Sequence, residues 1–118
     1  MLNPGRFIKS LIYAKRGVVY AWRHEQNFRI HTAVALVVVV IGLAVRLSLA
    51  RWIIVLMFMT VVLVLELINT FCEKLIDIVH PRVHEYVAIL KDLLAAAVLV
   101  ATLGAVIVGI LIFWPYLF

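Results

Sequence analysis

The chain has 118 residues, 67% of them hydrophobic and 14% charged, with a mean hydropathy of +1.18 and a formal net charge of +5. Soluble domains are about half apolar and about a quarter charged, so a core of this size cannot hide the excess and some of it must face lipid. The same composition excludes a disordered chain, and the single cysteine, Cys72, excludes an internal disulfide framework and a multi-cysteine zinc site.

Met1 to Arg6 are polar, and no short apolar run with a small-residue cleavage site follows them, so the apolar segments are expected to remain in the mature protein. An amphipathic surface helix is predicted over about residues 4–29. At about 100° per residue, Phe7, Ile8, Leu11, Ile12, Val18, Val19 and Trp22 share an arc of about 140°, and Arg6, Lys9, Tyr13, Arg16, Tyr20 and Arg23 occupy the rest. Lys15 falls within the apolar arc and has to snorkel. Its cations suit acidic lipid headgroups, and they equally suit a nucleotide phosphate.

Three apolar runs follow: Thr32 to Ala50, interrupted by Arg46; Trp52 to about Ile68; and Leu93 to Phe118, which carries no charge. Crossing roughly 30 Å of hydrocarbon takes about 20 helical residues. Three transmembrane helices are therefore expected, at about 32–50, 52–75 and 91–115, in a single all-α membrane domain over 1–118. Nine of the eleven Lys and Arg residues fall before the first run or between the second and third, so the N-terminus is expected on the cytoplasmic side of a multi-pass protein. Trp52, Phe113, Trp114, Tyr116 and Phe118 then form an aromatic belt at the outer ends. Pro81 is expected to stop the second long helix after His80 and open a short turn.

The six acids carry most of the functional signal. Glu66, Asn69, Glu73 and Asp77 are spaced by three, four and four residues, which places them within about 80° on one helical stripe. Most of the surrounding residues are apolar, so the stripe cannot face lipid without a cost of several kcal/mol per unmet group. Interfacial acids paired with Lys74, Lys91 or the surface helix explain it structurally. A divalent-cation site explains it functionally, and oxygen ligands without a Cys/His cluster suit Mg²⁺. His24, His31, His80 and His84 read as ordinary surface residues, and Cys72 lies about 100° from the middle of the stripe. Lys91-Asp92 adds a cation for phosphates and another carboxylate, the parts that phosphoryl transfer uses. The five glycines are scattered, so no glycine-rich phosphate loop is present.

Glu66-x-x-Asn69-Thr70-x-x-Glu73-x-x-x-Asp77, followed by Lys91-Asp92 and preceded by Glu25-x-x-Phe28-Arg29, resembles the small bacterial integral-membrane lipid kinases, the diacylglycerol kinase and undecaprenol kinase family. The resemblance runs from about Arg6 to Phe113, and of the acids only Glu85 lies outside its pattern. It implies a homotrimer in the bacterial inner membrane, with active sites shared between subunits, using ATP and Mg²⁺ on a membrane lipid and no nucleic acid. It makes Glu66 the general base, supported by Asn69, and Glu25 and Glu73 the Mg²⁺ ligands. Lys91 and Asp92 would hold the nucleotide with Arg6, Tyr13, Asp77 and the Arg82–His84 turn. Glu66 is also the acid deepest in the apolar run, a setting in which a carboxylate becomes a useful base.

Phe71 stands where the family usually has alanine, and Leu93-Leu94-Ala95 where it has small residues or a Gly-Ser pair; these changes touch the lipid pocket and helix packing, not the charged groups. Asn27-Phe28-Arg29-x-His31 and the ending Leu111-Ile112-Phe113-x-Pro115 are more similar to the undecaprenol kinase branch. The rival readings are a small oligomeric transporter and a non-catalytic membrane oligomer. A transporter calls for a charge near mid-membrane rather than acids grouped toward one end, and an inert oligomer has no use for Lys91-Asp92 aligned with the stripe.

Overall fold

The computed structural model describes residues 1–79 and 84–118, apart from the side chain of His84; among these it contains four helices and no strand. The helices are α1 (Pro4–His24), α2 (Gln26–Ala44), α3 (Leu49–Val79) and α4 (His84–Leu117). Three helical segments, Gln26–Ala44, Leu49–Val79 and Glu85–Leu117, are long and apolar enough to cross a membrane.

Helix α1 starts where local chemistry favours it. The Asn3 side chain accepts from the backbone N–H groups of Gly5 (3.0 Å) and Arg6 (3.3 Å), and Pro4 sits in the first turn, where its missing N–H costs nothing. Only Ala21 of this helix is buried, so the apolar arc of Phe7, Leu11 and Trp22 is open along its length, as a helix lying in a membrane surface requires.

The chain breaks at Glu25, which is extended (φ −110°, ψ 111°). Residues 26–29, part of the amphipathic segment in the sequence, therefore open α2 instead of closing α1. Arg29 holds this corner: its Nη1 donates to the carbonyl oxygens of Trp22 (3.0 Å) and Arg23 (3.1 Å), two acceptors that the end of α1 leaves unpaired.

A Schellman turn closes α2. Arg46 is left-handed (φ 54°), its N–H reaches the Leu43 oxygen at 3.2 Å, and the Leu47 N–H reaches the Gly42 oxygen at 3.0 Å. Directly after it α3 begins, with the Ser48 hydroxyl 3.5 Å from the Arg51 N–H. At 1.5 Å per residue, the 31 residues of α3 and 34 of α4 extend about 46 and 51 Å, well beyond a hydrocarbon core of about 30 Å. Both helices therefore run past the 52–75 and 91–115 limits into the polar interface, which gives charged side chains a place to stand.

Helix α3 is the centre of the packing: it touches α1, α2 and α4, whereas the backbones of α2 and α4 stay more than 8 Å apart, Cα to Cα, among the described residues. Its largest interface is with α4. The buried cluster is small, with Leu47, Val55, Ile112 and Phe113 backed by Val38, Trp52 and Val108 at the end of the bundle that holds the α2–α3 turn. In a membrane, apolar surface left open by the bundle need not be hidden from water, so close packing rather than water exclusion joins these helices. Gly42 permits one such approach, since a Cβ there would lie 2.8 Å from Trp52 Cη2. At the same end Arg51 lies over the Tyr116 ring, 4.9 Å from its centroid, and donates to the Tyr116 hydroxyl.

With α2 and α4 apart, an apolar groove is left over α3. Its volume is about 540 Å³, and it runs from His31 past Val38, Phe58 and Val62 to Phe113 and Phe118.

Candidate functional site: a buried carboxylate beside an apolar groove

Glu66 is seventeen residues into α3, about 26 Å along it, which puts it at the far edge of the hydrocarbon measured from Leu49. It is 2% exposed. Membrane-buried acids are expensive and mark functional positions. His31 Nε2, from α2, lies 3.0 Å from Glu66 Oε1. The approach is out of hydrogen-bond line, so Oε1 keeps no hydrogen-bond partner among the described residues. One turn further on, the Thr70 hydroxyl donates to the Glu66 carbonyl oxygen at 3.0 Å.

The i, i+3, i+4 spacing of the stripe brings its next members into line. Asn69 Nδ2 donates to Glu73 Oε1 at 3.3 Å, which fixes the amide and leaves Asn69 Oδ1 buried without a partner among the described residues. Glu25, in the α1–α2 corner, faces the same region: its Oε1 is 4.0 Å from Lys74 Nζ, and the charges of both Glu25 and Glu73 act on Glu66. Below them, Lys91 Nζ on α4 lies 2.7 Å from Asp77 Oδ1 on α3. Lys91 thus pairs across to α3, and Asp92, its sequence neighbour, is exposed.

Within one chain, then, Glu25, Glu66, Asn69 and Glu73 come together, with Asp77 and Lys91 on the adjoining turns. Arg6 and Tyr13 do not join them; both are exposed on α1, and Tyr13 lies under Arg16 with 5.9 Å from guanidinium carbon to ring centroid. Arg82 and the side chain of His84 lie outside the described residues. His31 belongs to the site although the sequence reading treated it as a surface residue. The available signal was its place inside a membrane-crossing segment, where an ionisable side chain is functional by default.

Among the described residues no three His, Cys, Asp or Glu side chains gather tightly enough to cage a metal. That pattern still fits Mg²⁺, which is held by one or two carboxylates and takes its other oxygens from water and phosphate. Glu25 and Glu73 are the carboxylates that would hold it, and Asn69 Oδ1, without a partner among the described residues, is a neutral oxygen beside Glu73.

The family described as prokaryotic diacylglycerol kinase matches residues 12–113. The chain is 38% identical over 112 residues to an undecaprenol kinase of Bacillus subtilis, covering 95% of this chain and 91% of that protein. It is 39% identical over 101 residues to a diacylglycerol kinase of Synechocystis, covering 85% of this chain and 58% of the relative, and 29% identical over 111 residues to the diacylglycerol kinase of Escherichia coli, covering 94% and 91%. The match takes in the whole of Glu25 to Asp92, the stretch that carries the buried acid, its stripe and the lysine, and on this evidence the chain is a membrane protein that belongs to the prokaryotic diacylglycerol kinase family.

Proposed function

We propose that the protein transfers the γ-phosphoryl group of ATP, with Mg²⁺, to the hydroxyl of a membrane lipid alcohol, and that the alcohol is undecaprenol rather than diacylglycerol. The observation that carries this reading is the position of Glu66: a buried carboxylate whose neighbour His31 lines one end of an apolar groove of about 540 Å³. An acyl or prenyl chain lying in that groove brings its hydroxyl to the carboxylate, while nucleotide arrives from water at the protruding ends of α3 and α4. The undecaprenol choice rests on the Bacillus subtilis relative and on the Asn27–His31 run.

In this reading Glu66 accepts the acceptor hydroxyl's proton as the hydroxyl oxygen attacks the γ-phosphorus in line, and the bond from that phosphorus to the β–γ bridging oxygen breaks to release ADP. Glu25 and Glu73 hold Mg²⁺, with Asn69 fixing Glu73 from beside it. When bound, the ion neutralises charge on the β- and γ-phosphates. Lys91 and Asp92 hold the nucleotide, with Asp77 setting the position of Lys91. The reading extends to a homotrimer with shared sites. Arg6 and Tyr13, which stand apart from these groups within their own chain, reach a neighbour's nucleotide in such an assembly. It also extends to the bacterial inner membrane with the N-terminus cytoplasmic, which the distribution of Lys and Arg supports.

The test supplies the purified protein in mixed micelles with γ-labelled ATP, Mg²⁺ and, in parallel, undecaprenol or diacylglycerol. Label in undecaprenyl phosphate at several times the rate of label in phosphatidic acid is expected. Equal rates contradict the undecaprenol choice, and no labelled lipid contradicts the kinase reading.

A further inference from the structure

Glu66 is buried, the like-charged Glu25 and Glu73 lie in the same region, and the one basic side chain paired with its carboxylate among the described residues is His31. A carboxylate taken out of water requires such a partner. His31 supplies it from a different helix, Nε2 to Oε1 at 3.0 Å. The imidazole itself comes from a fixed part of the chain. Phe28, one turn earlier, is buried, the Thr32 hydroxyl donates to the Phe28 oxygen at 2.7 Å, and Arg29 ties the start of α2 to the end of α1.

We propose that His31 is a positioning residue for Glu66, setting the direction of its carboxylate beside the groove; the inference rests on the lipid kinase reading. A glutamate side chain has several rotatable bonds and a broad terminal torsion, so a buried one with no fixed partner can turn away from the reacting atoms. His31 removes that freedom without consuming the base, because its approach leaves Oε1 free to accept a proton. It also lines the groove, so one ring touches both the carboxylate and the space assigned to the acceptor chain. Nε2 already stands 3.0 Å from Oε1, so a small turn of the carboxyl brings Oε1 into line with an N–H on Nε2, and the Nε2-protonated imidazole is the form that can hold it there.

The role separates from simple packing by comparing His31→Leu with His31→Gln, whose amide N–H is placed much like Nε2–H. Both full-length variants are assayed beside wild type in mixed micelles with undecaprenol and with diacylglycerol, and binding of Mg·ATP is measured separately. His31→Leu is expected to lower kcat by roughly 10- to 100-fold, the cost of a misdirected catalytic group. KM for ATP and Mg·ATP affinity stay within about twofold, and His31→Gln recovers most of kcat. A leucine variant as fast as wild type overturns the proposal. So does a glutamine variant as slow as leucine, or a loss of Mg·ATP affinity matching the loss of kcat, either of which marks a packing role. If wild type labels neither lipid, the kinase reading fails and this inference with it; if wild type is active, a failure belongs to His31 alone.

Discussion

Lys91 of α4 and Asp77 of α3 are joined at 2.7 Å, Nζ to Oδ1, on the two helix ends that flank residues 80–83. Both side chains are open to water, and an ion pair so exposed contributes little to stability. Its consequence is positional: the cation assigned to the nucleotide is held on the stripe side of α4.

Replacing Lys91 by Met therefore affects catalysis more than folding. Lys91→Met is expected to lower kcat/KM for ATP by roughly 100-fold or more, as loss of a charge on the transferring phosphates does. Asp77→Asn, which only frees the lysine, costs roughly tenfold or less. ATP titrations at saturating lipid check the ranking, and a larger loss from Asp77→Asn contradicts it.

Glu73 and Asn69 separate binding from chemistry. Glu73→Gln removes an anionic oxygen ligand and is expected to weaken Mg·ATP binding by roughly tenfold or more. Asn69→Leu removes both the 3.3 Å contact to Glu73 and the free Oδ1, so it weakens binding in the same direction. Calorimetric titration of Mg·ATP into detergent-solubilised protein reads both; unchanged affinity in both variants sinks the ligand assignment.

Gly42 marks where α2 meets α3. Alanine there gains about 1 kcal/mol of helix propensity. Its Cβ, however, meets Trp52 at 2.8 and 3.0 Å and Leu47 at 3.1 Å. Overpacking of this kind costs about 1–3 kcal/mol, so the clash wins. Gly42→Ala is expected to lower the Tm in a thermal-shift measurement, and a rise contradicts the packing described.

Arg46 works the other way. A left-handed conformation costs a non-glycine residue about 1–2 kcal/mol, and glycine gives back about 0.5–1 kcal/mol through unfolded-state freedom. Arg46→Gly should therefore stabilise by up to about 1 kcal/mol, seen as a modest rise in Tm. A fall means that the guanidinium makes a contact worth more than the strain.

The sequence made the membrane helices legible because lipid imposes a length and a polarity on any segment that crosses it. The stripe was legible for a similar reason: Glu66, Asn69 and Glu73 belong to one helix, where spacing alone decides which side chains are neighbours. Relations between helices were not legible. The amphipathic pattern of α1 lapses after Arg23, with Glu25 and Gln26 falling on its apolar arc and Phe28 outside it, but no glycine or proline marks the break, which is secured by Arg29 folding back on carbonyls six and seven residues earlier. His31 carries no periodic signal either; it becomes a site residue only when α2 lies against α3. The pairing of Lys91 with Asp77, rather than a joint role with adjacent Asp92, likewise depends on how α4 returns beside α3.

The central claim is that Glu66 takes the proton from the lipid hydroxyl. Its most direct test is Glu66→Gln, nearly isosteric and without a basic oxygen, assayed for lipid labelling and, on the same preparation, for Mg·ATP binding. A loss of turnover of roughly 1,000-fold or more is expected, the scale on which removing a general base acts, with Mg·ATP affinity within about threefold of wild type. Turnover within tenfold of wild type would contradict it.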